Sequence, residues 1–182
     1  MSAAVPIPAR AMAEIGIESR PGHLIRRCHQ IAVALFLDHC AASDLTPMQY
    51  ALLKAAARHP GADQITLAGH AAIDRSNAAR LAAGLEARGL LRRAVDPADR
   101  RARRLTLTMA GAALLGDAEA AVQAVQDDLL APLAAEERVI FLAGLRKIAD
   151  HHNHASRAPL LPPRPPNTGR MSSGIKGRRV LF

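Results

Sequence analysis

The chain has 182 residues, 49% of them hydrophobic and only 2% aromatic, which allows one packed domain with a tail and leaves Ala and Leu to fill a core that leans helical. With three Phe, one Tyr and no Trp, it lacks the stacking platforms of a single-stranded nucleic-acid binder. The net charge of +8 is unevenly placed: residues 74–104 carry nine basic and four acidic groups, residues 109–154 three and seven, and residues 155–182 six and none, the footprint of a chain that meets a polyanion through one basic block.

Residues 1–20 read as a flexible arm, because Pro6, Pro8, Glu14 and Glu18 interrupt any apolar run and exclude a signal peptide. No stretch of about twenty apolar residues follows, so no membrane span is expected and the chain reads as cytoplasmic. Pro21-Gly22 is a breaker pair. After it Leu24, Cys28, Ile31 and Leu35 recur at helical spacing to about Ala42. Thr46 and Pro47 supply an N-cap and a first-turn proline for a second helix to about Arg58. Asp63 caps a short helix from Gln64 to about Ala71. Asp74 caps the next one, Arg75 to Arg88, and Gly89 stops it.

The period then changes. Arg104 to Thr108 alternates as a half-buried strand, with Leu90 to Val95 as its expected partner, and the turn-rich Asp96-Pro97-Ala98-Asp99-Arg100-Arg101 lies between them. Thr108 caps a long helix whose Leu115, Ala118, Val122, Val125 and Leu129 step by three and four, a coiled-coil-like seam expected to need a partner surface. Pro132 breaks it. Phe141, Leu145 and Ile148 mark a last helix, about Ala135 to His152. Residues 155–182 form a basic, Pro-rich tail without hydrophobic period, expected to be disordered in isolation.

A short helix, a tight turn, a second helix and a basic hairpin are the parts of a winged helix-turn-helix. The fold class is therefore mainly α, with a small antiparallel β-hairpin wing and a helical dimerisation region. Residues 46–108 form the DNA-binding domain, and residues 21–45 and 109–154 the dimerisation region. In such a motif the first turns of the second helix meet base edges in the major groove. Here they present Arg75, Ser76, Asn77 and Arg80, while Ala78, Leu81 and Leu85 make the buried face. Arg pairs with guanine, Asn with adenine, and Ser with base or phosphate. Arg100, Arg101 and Arg103, with Arg104 beside them, would arm a narrow ribbon for the minor groove. A helix-turn-helix that binds a protein, with a merely solvated polar face, is the plain alternative.

Several motifs together resemble the MarR family of bacterial regulators. They are Leu45-Thr46-Pro47-Met48-Gln49-Tyr50, Asp74-Arg75-Ser76, Leu85-Glu86-Ala87-Arg88-Gly89-Leu90-Leu91, Asp96-Pro97-Ala98-Asp99-Arg100-Arg101 and Leu105-Thr106-Leu107-Thr108. The resemblance spans roughly residues 21–152. It implies a homodimer formed by the first and last helices, a palindromic double-stranded DNA operator, and a ligand pocket between the dimer helices and the DNA-binding lobe. Met109 departs from the proline that many relatives carry, and the tail lies outside the pattern.

Pro21 to Gln30 is similar to the first helix of relatives that control aromatic-acid breakdown. The implied effector is a small aromatic acid or its coenzyme A thioester. His23, Arg26, Arg27 and Gln30 fall at i, i+3, i+4 and i+7, on one helix face able to hold a carboxylate or phosphate. His29 and Tyr50 complete the candidate ligand set; each is also read as a packing residue. Two alternatives stay open. Cys28 near the start of the first helix matches a family branch that senses hydroperoxides through a thiol. A constitutive architectural protein would draw most of its DNA affinity from the basic tail. Cys28 and Cys40 lie too far apart along one helix, about 18 Å, to pair. The cluster His151-His152-Asn153-His154 has adjacent rings pointing different ways and no thiol, so no metal site is expected. No cofactor motif and no catalytic triad signature occurs, and the chain is not expected to be an enzyme.

Overall fold

The computed structural model describes residues 16–95 and 103–161 of the chain. A 3-10 turn, Ile17–Ser19, leads into α1 (Pro21–His39), and a second one, Ala41–Ser43, follows it. This helix stops short of the predicted Ala42 because the chain turns at Asp44, which adopts a left-handed φ of 48°. Next come α2 (Pro47–Arg58), α3 (Gln64–His70) and α4 (Arg75–Ala87). Then β1 (Leu91–Val95) pairs antiparallel with β2 (Arg103–Leu107), in a register that sets Leu91 against Leu107 and Arg93 against Leu105. The chain closes with α5 (Met109–Leu130), α6 (Ala135–His151) and a short 3-10 turn, Asn153–Ala155. No helix among the described residues is long and apolar enough to cross a membrane.

The helix starts follow local chemistry. Thr46 and Gln49 form a reciprocal capping box, with the Gln49 N–H donating to Thr46 Oγ1 at 3.3 Å and the Thr46 N–H to Gln49 Oε1 at 2.8 Å. Asp63 accepts the backbone N–H groups of Ile65 and Thr66. Thr108 accepts from the Gly111 N–H at 3.0 Å, and its own hydroxyl donates to Gly89 O at 2.7 Å. That tie draws α5 against the end of the hairpin so closely that a side chain at Gly111 would run into the Leu90 carbonyl. On its other edge β2 is fastened to the loop before α3, where the Leu105 N–H donates to Ala62 O at 3.1 Å.

One core runs through the described residues. Leu52, Leu53, Leu67, Leu85, Leu91 and Leu105 are its fully buried centre, and it continues to Phe36 of α1, to Cys40 just past the end of that helix, and to Leu115 and Val125 of α5. The seam on α5 therefore finds its cover within the chain. Leu115, Ala118 and Val125 are buried, and Val122 partly so, because α5 packs along α1. The expectation that this stripe needs a partner is corrected: among the described residues the exposed apolar side chains cluster on α6, with Leu24, Ile25, Ile31 and Leu37 of α1 exposed as well. Helix α6 buries no residue of its own, and Val139, Ile140, Phe141, Leu142, Leu145 and Ile148 are all exposed.

Candidate nucleic-acid interface

The turn between α3 and α4 is held from inside. Ile73 is buried and its N–H donates to Ala68 O at 2.9 Å, while Ala72 takes a left-handed φ of 51° to bring the chain round. The turn delivers α4 with Ala78, Leu81, Ala82 and Leu85 inward and Arg75, Ser76 and Arg80 exposed. The predicted division of this helix into a buried and a presented face is what the structure holds, with one difference at Asn77.

Asn77 is half-buried, and its amide is already engaged. Its Nδ2 donates to Asp74 Oδ2 at 2.6 Å, and its Oδ1 accepts from Arg80 Nη2 at 2.9 Å. Asp74 also accepts from the Ser76 hydroxyl at 2.7 Å and from the Asn77 N–H at 3.1 Å. The Ser76 hydroxyl, then the backbone and side-chain amides of Asn77, hold the Asp74 carboxyl far below the usual carboxylate range. Asp74 is therefore charged throughout the neutral range, where a negative group at a helix N-terminus is favourable. The result is a chain of contacts, Asp74 to Asn77 to Arg80, that orients the Arg80 guanidinium while leaving it exposed.

On the wing, Arg92 is exposed, and Arg93 makes an ion pair with Glu86 of α4 at 3.1 Å that pins β1 to that helix. Arg103 and Arg104 are exposed on β2. Arg100 and Arg101, named from the sequence for minor-groove contact, lie outside the described residues.

The candidate ligand residues do not gather into one site. His23 is half-buried, and Arg26 and Arg27 are exposed on α1, with Arg26 Nη1 donating to Gln30 Oε1 at 2.9 Å. His29 and Cys28 line a different place, an apolar cleft of about 480 Å³ bounded also by Leu24, Ile25, Phe141 and Leu145. Tyr50 sits further along, against Phe36 with ring centroids 5.9 Å apart, about 15 Å of helix from Arg26. Its hydroxyl donates to Glu119 Oε2 at 3.2 Å, and Lys54 Nζ reaches the same oxygen at 2.7 Å. Burial, ahead of the neighbouring charges, pushes the Tyr50 phenol up, while the Lys54 ammonium holds the Glu119 carboxyl below its usual value. This knot of Tyr50, Lys54 and Glu119 joins α2 to α5. Sequence reasoning singled out Tyr50 alone, because Glu119 is 69 residues away. Cys28 and Cys40 are both free thiols, the first exposed and the second buried, where burial raises its pKa.

Comparison with known proteins agrees with this geometry. A family model of the MarR family matches residues 43–102. The transcriptional regulator HosA of Escherichia coli O111:H- is 37% identical over 125 residues, covering 66% of this chain and 92% of HosA. Among solved structures, the PcaV transcriptional regulator of Streptomyces coelicolor, in complex with its natural ligand, superposes with a TM-score of 0.70 at 35% identity, covering 76% of this chain and 98% of PcaV. BpsR of Bordetella bronchiseptica, whose DNA binding is regulated by 6-hydroxynicotinic acid, superposes with a TM-score of 0.71 at 32% identity, covering 75% and 97%.

Proposed function

The chain belongs to the MarR family of transcriptional regulators, and from that premise we propose that it is a homodimeric repressor of a palindromic operator, released by a small aromatic acid or its coenzyme A thioester. The observation that carries the DNA-binding half is the exposed Arg75, Ser76 and Arg80 on a helix whose opposite face is locked into the core. Arg80 reads a base edge from the major groove, Asn77 holds Arg80 in place through Asp74, and Arg103 with Arg100 and Arg101 follows the backbone from the wing. The uncovered stripe of α6, facing the Leu24 and Ile25 end of α1 across the apolar cleft, is the surface that a second copy covers. Two recognition helices related by a two-fold axis then meet half-sites about one helical turn apart.

The effector half rests on α1. His23, Arg26 and Arg27 share a face at i, i+3 and i+4, and two guanidinium groups beside an imidazole suit a carboxylate or phosphate through charge-assisted bonds. Regulation of BpsR by 6-hydroxynicotinic acid supports the aromatic class. Such a ligand acts only through its preference for the dimer that does not fit DNA. A thermal-shift screen of aromatic acids and their thioesters identifies the ligand as the compound that raises the melting temperature. Titrating it into the protein–operator complex then tests the site. Arg26→Ala or Arg27→Ala should require about ten- to a hundredfold more ligand for release while still binding the operator. Release of both variants at the wild-type ligand concentration removes the anion from this helix.

A further inference from the structure

We propose that residues 153–161 form a strap tying the far end of α6 to the turn of the helix-turn-helix. The helix offered to a second copy and the lobe that reads DNA then move as one body, which accepts one spacing of half-sites. The strap's role rests on the dimer and DNA-binding readings above and adds to them the element that fixes the two parts relative to each other.

Asn153, in the 3-10 turn after α6, clasps Leu160 in both directions: its Nδ2 donates to Leu160 O at 3.0 Å, and its Oδ1 accepts the Leu160 N–H at 2.8 Å. Inside the loop so closed, the Ala158 N–H donates to Ser156 Oγ at 3.1 Å. The clasp takes up slack, since the stretch from Asn153 to Leu161 could otherwise extend over about 26 Å. At its end the Leu161 N–H donates to Gly69 O at 2.9 Å, and the same oxygen accepts the Ala72 N–H at 3.3 Å. Gly69 is next to the last residue of α3, so its carbonyl is one that the helix leaves open. Ala72 is the residue whose left-handed backbone turns the chain toward α4. The strap therefore lands on the turn itself. Its leucine side chain lies over Gly69, where an added Cβ would stand 2.5 Å from Cδ1 and 2.6 Å from Cγ of Leu161. The lack of a side chain at residue 69 is what seats it.

The strap matters because α6 has little else to orient it. No residue of α6 is buried, so its direction is set at its two ends. At the first end, Arg138 Nε donates to Leu133 O at 2.9 Å and the Ala134 N–H to Glu137 Oε2 at 2.8 Å, which fixes the helix to the break after α5. The strap holds the other end, about 25 Å along the helix. Its anchor is firm. Leu67 and Ala68 of α3 are buried, and His70, beside Gly69, stacks on His59 just past α2 with centroids 3.9 Å apart. A shift of α6 is thus passed to a packed unit instead of being lost in slack. One base pair added between half-sites moves them apart by about 3.4 Å and turns them by about 35°. A body tied at both ends of α6 does not follow that change, and a loosened one does.

The test applies two readouts to full-length proteins: the wild type, Asn153→Ala, Gly69→Ala, and Gly69→Ala combined with Leu161→Ala. Hydrogen exchange of the peptide covering residues 153–161 reads the strap without DNA. Fluorescence anisotropy reads binding to an operator that the wild type selects from a random duplex pool, and to versions with one or two base pairs added or removed between the half-sites. The wild type should protect the peptide and bind the versions altered by two base pairs about tenfold more weakly, or worse. Asn153→Ala and Gly69→Ala should leave the peptide in fast exchange. They should bind all spacings within about threefold of one another and keep the base preference within each half-site. Alanine ordinarily strengthens a helix over glycine, so Gly69→Ala should act by displacing Leu161 and not by melting α3, which circular dichroism checks. The combined variant should return toward the wild type in both readouts, because Leu161 Cβ stands 3.5 Å from the added methyl, an ordinary contact. Wild-type protection in both single variants overturns the strap. Fast exchange with wild-type discrimination between spacings overturns its role in spacing. If the wild type selects no operator, or binds it as a monomer, the readings beneath the proposal fail and the spacing role with them, a result that the exchange data keep distinct from failure of the strap.

Discussion

Replacing Ile148 by alanine is the sharpest probe of the proposed dimer, because α6 buries no residue against the other described residues of the chain. Ile148 is 53% exposed there and lies on the same stripe as Phe141 and Leu145. Burying an isoleucine side chain fully is worth about 1.5–3 kcal/mol, so covering the exposed half gains about 1 kcal/mol per copy. A two-fold interface uses the position twice, which brings the loss on truncation to about 2 kcal/mol, roughly thirtyfold in the dimer dissociation constant. Ile148→Asp should do more, since it sets a carboxylate with no partner into a dry seam. Arg146→Ala, on the same helix, serves as the control, because the seam argument uses only the apolar stripe. Sedimentation velocity over a dilution series reads the midpoint directly, and circular dichroism checks that each variant remains helical. If Ile148→Ala and Ile148→Asp dimerise at the wild-type midpoint, the second copy does not sit on this stripe. A wild-type monomer at micromolar concentration refutes the dimer itself.

Other outcomes follow from the interface. Arg80→Ala should cost about 1–3 kcal/mol on the operator and flatten base preference, while Arg101→Ala should weaken all duplexes evenly and lower the salt slope by about one; equal loss on operator and random DNA for Arg80→Ala removes it from base readout. Asp74→Ala removes the cap of α4 and frees Asn77, so it should lower the melting temperature and weaken operator binding together, whereas an unchanged melt would leave the cap without a role. Burial, then His70 and Arg58, holds the His59 imidazole below its ordinary value of 6.5, with the His70 ring stacked at 3.9 Å. The unfolded chain takes up that proton first, so stability should rise with pH through the window ending near 6.5, and thermal melts of His59→Gln should show a flatter pH dependence than the wild type.

The order of elements was legible in the sequence because it rests on signals a few residues long. Thr46, Asp63, Asp74 and Thr108 cap helices through N–H groups two or three residues ahead, and Gly89 takes a φ of 70° just past α4. The buried face of α4 followed from its period for the same reason. What the sequence concealed depends on chain segments far apart. Periodicity shows that a helix has an apolar stripe and not which neighbour covers it, so the sequence of α5 points to a partner surface while in the fold α1 covers the stripe. Glu119 meets Tyr50 and Lys54 across more than sixty residues. Asn77 looked like a free amide because its one-letter pattern does not say that Asp74 and Arg80 already use both ends of it.

The same long-range contacts bear on how the proposed ligand on α1 would act on DNA binding. At the end of the recognition helix, Arg88 Nη1 donates to Asp44 O at 2.6 Å and Nη2 to Ser43 O at 3.1 Å. Those carbonyls belong to the corner where α1 gives way to α2, and Asp44 holds the corner in a left-handed conformation. Phe36 and Cys40, at the same end of α1, are buried in one core with Leu85 of α4. A displacement of α1 therefore has two responses open to it. Either α4 moves with the corner, or two hydrogen bonds from a charged donor break and a close-packed core reopens, and the second costs more. If the proposed ligand displaces α1, α4 should therefore move with it, and by linkage the operator should then weaken the ligand by the factor by which the ligand weakens the operator.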